Sequence, residues 1–167
     1  MKIESMRNLF FEQIQDLYDA EKRLTKALPE LADASTSAEL RGAFESHLIE
    51  TQGQIIRLER IIQELGEGSN ATTCDAIKGL IKEGDSMISR TDKSPLRDAG
   101  LIAAANRVEH YEIAAYGSAR AFAQTLGMDR AVALLEETLK EEKAADQKLT
   151  KIAESIVNDQ ARQFVCR

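Results

Sequence analysis

The chain has 167 residues, 30% of them charged, with a formal net charge of −6, only two Pro and no Trp. An acidic chain without any run of Lys and Arg is not built to hold nucleic acid, because phosphate contacts need clustered positive charge. Its two cysteines, Cys74 and Cys166, stand far apart without CxxC spacing, which indicates neither a disulfide framework nor a thiolate zinc site and fits a reducing cytoplasm.

Apolar residues spaced by three and four predict long helices. The first covers roughly 5–34, with Phe10, Ile14, Leu17, Leu24, Leu28 and Leu31 in one stripe and Pro29 as a kink or early stop. Glu4 and Arg7 at its start occupy the place where a signal peptide needs an apolar core, and no apolar run in the chain is long enough to span a membrane. After a Ser35-Thr36-Ser37 turn, Ser37 caps a second helix over roughly 38–65, whose stripe includes Leu40, Phe44, Leu48, Ile55, Leu58, Ile62 and Leu65. The sequence GEGSN, residues 66–70, ends it. A shorter amphipathic stretch follows over roughly 71–90 and is broken by TDKSP, with Pro95 suited to the first turn of the next helix. The last two long helices cover roughly 95–126 and 128–158, and a polar tail begins at about 159. Short loops join the first pair and the last pair, while about thirty residues with their own short helix join the pairs. One long crossover in a four-helix bundle is the order of the ferritin-like fold, so the expectation is a single all-α domain over 1–167.

Carboxylates interrupt these stripes. Glu21 falls in the middle of the first, and Glu142 takes an inward place in the fourth long helix, with Asp146 one turn on. In the segment VEHYEIAAYG, Glu109 and Glu112 share a face with Ile102, Ala105 and Tyr116. The second helix offers His47, Glu50, Thr51 and Gln54, with Glu50 at the edge of the apolar arc. A carboxylate taken out of water costs several kcal/mol unless it is paired, protonated or metal-bound. Two readings compete: an ion-pair network using Arg107 or Lys143, and a cage for a hard or borderline cation such as iron or manganese. The coincidence of inward glutamates on several helices favours the cage. Glu136, Glu137 and Glu141 are expected to be solvated, with Glu136 paired to Lys140. Tyr18 and Tyr116 are placed to hydrogen-bond ligand carboxylates.

The segments LYDAEKRLTKALPELA, HLIETQGQIIRLERI, LIAAANRVEHYEIAAYGSARAFAQTLG and LLEETLKEEKAADQKLTKIA resemble the YciE/YciF-type proteins, bacterial stress-associated members of the ferritin-like superfamily. The likeness covers about residues 6–155. It implies a ferritin-like bundle with an extra crossover helix, a homodimer, and one or two ions of iron or manganese held by Glu21, Glu50, Glu109, Glu112 and Glu142. The superfamily pattern has Glu-x-x-His on the second and fourth helices. Here Gly53 and Ala145 stand three residues after Glu50 and Glu142, leaving His47 and Asp146 as the alternative ligands. The activity this implies is peroxide reduction or oxidation of ferrous iron. The competing function is a structural or interaction protein that keeps the scaffold without a metal centre.

Overall fold

Residues 2–66 and 72–164 are described by the computed structural model, and among them there is no strand. Helix α1, Met6–Ala34, begins where the Ser5 hydroxyl accepts the Asn8 backbone N–H. It runs through Pro29 to its end. A mid-helix proline costs about 3 kcal/mol, offset here by the burial of Leu28 just before it and of Ala32 and Ala34 beyond it. Helix α2, Ala38–Leu65, is capped by Ser37 and stops at Gly66, whose φ of 68° is the left-handed conformation that glycine adopts without strain. Residues 67–70 of the expected terminator lie outside the described residues.

Helix α3, Asp75–Arg90, starts later than expected because Cys74 is its cap, with the thiol sulfur accepting the Ile77 N–H. Helix α4, Pro95–Thr125, is capped by Ser94 with Pro95 in its first turn, and ends before Gly127, again at φ 68°. Helix α5, Asp129–Ile152, continues through a π turn, Ala153–Val157, into α6, Asn158–Gln163. The stripe predicts Ile156 inward, yet it is half-buried, while Ile152 and Val157 are buried five residues apart. The wider π turn supplies that spacing and re-aims Val157 at the core. Helical structure thus reaches into the segment expected to be a polar tail.

Helices α1 and α2 pack together, as do α4 and α5, and contacts of α2 with α5 and of α1 with α4 close the bundle. Helix α3 lies across α4 and α1 as the crossover. Two apolar clusters fill the ends of the bundle. One holds Leu24, Leu28, Leu40, Phe44, Leu101 and Leu149. The other holds Phe10, Ile14, Leu17, Leu58, Tyr116 and Leu135. Consecutive turns of α1 contribute first to one and then to the other, so a middle layer separates them.

The α1–α2 turn is fixed from across the bundle. Buried Asp98 on α4 accepts the backbone N–H of Thr36 and of Ser37, each at 2.8 Å. Asp98→Ala strands both donors, and an unsatisfied buried donor costs about 1–3 kcal/mol. Urea unfolding of this variant is expected to show a loss of that size in stability.

Candidate metal centre

The middle layer is polar. Glu21 from α1, His47, Thr51 and Gln54 from α2, Glu109 and Glu112 from α4, and Thr138 and Glu142 from α5 are all buried. Side chains three and four apart share a helix face, which places Glu109, Glu112 and Tyr116 in one column and Glu142 one turn beyond Thr138. One ligand atom from each of His47, Glu109, Glu112 and Glu142 lies within 4.8 Å of the others. The Nε2 of His47 is 3.4 Å from Glu109 and 3.7 Å from Glu142. The carboxyl groups of Glu21 and Glu112 are neighbours, as are those of Glu109 and Glu142. Two carboxyl groups side by side need a proton or a cation between them.

Several side chains fix the orientation of this group. The Tyr116 hydroxyl donates to Glu21 at 2.5 Å, and the Gln54 amide donates to Glu142. The Nδ1 of His47 lies 3.3 Å from a Glu50 carboxylate oxygen. With Nδ1 turned to Glu50, Nε2 faces Glu109 and Glu142. Glu21 Oε2, His47 Nε2, Thr51 Oγ1, Gln54 Oε1, Glu109 Oε2, both Glu112 carboxylate oxygens and Glu142 Oε2 are buried without a hydrogen-bond partner. Native proteins leave only a few such atoms per hundred residues, and here they gather in one layer.

Neither Arg nor Lys compensates these charges. Arg107 pairs with Glu83 on the surface, and Lys143 is exposed. Arg57 bridges α2 to α5 through Glu141 at 2.6 Å, Glu137 at 2.8 Å and Thr138 at 3.0 Å, all beside the layer. Glu141 is therefore half-buried and paired, against the expectation of a solvated residue, and Glu136 meets Arg120 instead of Lys140. His47, 3.4 Å from Glu109 and 3.7 Å from Glu142, is the one cationic partner inside the layer among the described residues, against four carboxyl groups. Burial and the charge of Glu142 push Glu21 up to about 8, and burial also holds Glu109, Glu112 and Glu142 above the usual carboxylate range. Burial alone would lower His47, but Glu109, Glu50 and Glu142 outweigh it and raise the imidazole to about 10.

Of the seven residues singled out in the sequence, Glu21, His47, Glu109, Glu112 and Glu142 come together. Glu50 does not enter the buried group: its side chain is 40% exposed and meets His47 from the outer side. Asp146 also stands apart, accepting from Asn106 at 2.7 Å and facing the exposed His110 at 3.3 Å. Tyr116 reaches a buried carboxylate as expected, whereas Tyr18 points outward and donates to Glu59. The orienting role of Gln54 is the feature that the sequence pattern underplays, since a buried glutamine carries no apolar signal. The donor set of carboxylates and one imidazole, with oxygen atoms left unpaired, fits a hard or borderline divalent cation.

Fold and site together define a ferritin-like helical bundle with a buried carboxylate and histidine cluster. The chain belongs to the family described as a domain of unknown function, DUF892, whose pattern matches residues 5–162. It is 45% identical over 162 residues to the protein YciF of Escherichia coli K12, covering 96% of this chain and 98% of that one. The crystal structure of that E. coli protein, described as a stress protein, superposes with a TM-score of 0.90 over 93% of this chain and 99% of that one. YcfI of Rhodopseudomonas palustris matches at 43% identity and a TM-score of 0.86, covering 91% of this chain and 97% of that one. A ferritin-like, diiron-carboxylate protein of Bacillus anthracis strain Ames is 18% identical with a TM-score of 0.71, over 90% of this chain and 99% of that one, a likeness of fold alone. Among the described residues no helix is long and apolar enough to cross a membrane.

The raised carboxyls set a pH dependence for metal-free protein. A carboxyl that ionises in the unfolded chain near 4.5 but in the fold only at about 8 withdraws stability between those values as pH rises. His47, protonated in the fold up to about 10, withdraws stability from about 6.5 upward, with the same sign. The Tm of chelator-treated protein is expected to fall steadily from about pH 5 to about pH 9, by about 2–4 °C for each kcal/mol lost. A flat profile in scanning calorimetry would mean that the layer does not hold protonated carboxyls.

Proposed function

We propose that the protein binds two divalent cations, iron or manganese, in the middle layer of the bundle, and oxidises ferrous iron or reduces peroxide there. The observation that carries this reading is the set of unpaired buried oxygen and nitrogen atoms on Glu21, His47, Glu109, Glu112 and Glu142. Four ionised carboxylates carry four negative charges, which two divalent cations balance with His47 neutral. One cation would leave a net charge in a low-dielectric core. Bound iron or manganese supplies the redox chemistry that no side chain here provides.

The residues of the chain hold and shield. Tyr116 keeps Glu21 aimed inward, Gln54 does the same for Glu142, and Glu50 keeps Nε2 of His47 free as a donor. The apolar clusters on either side exclude water, so each carboxylate charge acts at full strength. The description of the E. coli relative as a stress protein supports a role in a stress response, and the cytoplasm is the compartment in which it would act.

The test is elemental analysis by mass spectrometry of untagged protein beside Glu21→Gln and Glu142→Gln. About two iron or manganese ions per chain are expected in the wild type, with most of that content lost in both variants. Their metal-free Tm should be unchanged or raised, because glutamine keeps the shape and stays neutral without needing a proton or a cation. A wild type that stays metal-free when offered ferrous iron and manganese would sink the reading and leave a polar scaffold.

A further inference from the structure

The cage needs a way in, and its members are unequally accessible. Glu21, Glu112 and Glu142 are fully enclosed, whereas His47 and Glu109 border a small pocket of about 70 Å³ between α2 and α5. Ala43, Phe44, Ala144, Ala145 and Leu149 wall it, and half-exposed Glu50 and exposed Lys148 stand at its outer end. Two of these walls are alanines on α5, and Ala145 lies three residues beyond Glu142. Any larger side chain at Ala145 would fill the space over His47. A wider groove beside Asp146, lined by Gln147, Thr150 and Glu154, shares none of its residues with the cage.

We propose that the α2–α5 pocket is the port through which the divalent cation reaches the buried cage, kept open by Ala145 and electrostatically set by the opposed rim charges Glu50 and Lys148. This rests on the metal-centre reading and adds the route and the residues that control it. A cation entering here meets the Glu50 carboxylate first and the His47 and Glu109 donors next. The carboxylates beneath draw it inward through a narrow passage with apolar walls, where field lines are focused. Lys148 works against that attraction, and its positive charge acts on Glu50. The pocket therefore sets the rate of loading and not the final affinity.

The experiment follows Co²⁺ uptake by stopped-flow absorbance in chelator-stripped full-length protein, alongside equilibrium titration. Ala145→Leu is expected to slow the initial uptake at least tenfold while the final Co²⁺ content stays that of the wild type. Lys148→Glu is expected to speed uptake severalfold at low salt, an advantage that disappears in high salt as rim charges are screened. Wild-type uptake rates in both variants would overturn the port and leave the metal centre standing. Absence of Co²⁺, iron and manganese from the wild type at equilibrium would instead remove the metal centre itself. Should Ala145→Leu fail to fold, the exposed Lys148→Glu decides the matter alone: an unchanged rate rejects the port.

Discussion

Four carboxyl groups from three helices, with one imidazole and no Lys or Arg among them, meet in a layer closed on both sides by apolar side chains. The bundle must answer that juxtaposition. Unpaired, the charges would repel and demand water, and the surrounding Phe, Ile and Leu side chains leave little room for it. In metal-free protein, protons held on the raised carboxyls answer that repulsion, and in the proposed reading two cations would take their place. Loading with cations, as proposed, would release those protons and so couple metal affinity to pH and folding stability to metal.

The remaining architecture keeps this layer in register. Arg57 ties α2 to α5 beside the cage, and Asp98 ties the α1–α2 turn to α4. On the other side of α1, Asp19 pairs with Arg23 at 2.6 Å and accepts the Cys74 N–H at 2.8 Å, which anchors the start of the crossover helix. Tyr111 adds a second fastening, donating to Asp16 at 2.6 Å with its hydroxyl 3.0 Å from the Cys74 thiol. The crossover is therefore tied to the same helices that supply Glu21, Glu109 and Glu112. Cys74 is a structural part of that fastening, its thiol buried and pushed up above its ordinary pKa by burial, far from the reactive thiolates that need an exposed, electropositive setting.

The bundle and the crossover were legible in the sequence because Phe, Ile and Leu mark the inward face of α1, and apolar residues, many of them alanine, mark those of α4 and α5 at helical spacing. Glu21, Glu109, Glu112 and Glu142 were visible for the same reason, each standing where the stripe calls for an apolar residue. Helix α2 was harder to read. Its inward positions include Ala43, His47, Thr51 and Gln54, while Leu48 and Ile55 are half-buried and Ile49 and Ile56 are exposed at 70% and 50%. A stripe drawn through the large apolar side chains therefore turns away from the true face, and Glu50 looks more central than it is. The π turn was equally hidden, since only the packing of Val157 reveals a spacing of five.

The rotation of α2 decides the character of the site. With Glu50 turned outward and His47 inward, the second helix contributes one imidazole nitrogen backed by a carboxylate, not a carboxylate backed by an imidazole. An imidazole held by Glu50 is a better electron donor and has one tautomer, whereas an inward Glu50 would have added a fifth negative charge, one more than the two divalent cations of the proposed reading would balance. The inward charge of the layer, the small residue at Ala145 and the half-exposed position of Glu50 are thus parts of one arrangement: Glu50 outside orients the donor that Ala145 leaves accessible. Removing the carboxylate by Glu50→Gln would loosen the tautomer of His47 while leaving the four inward glutamates as they are, so on the proposed reading a lower equilibrium metal content in that variant would come through the imidazole.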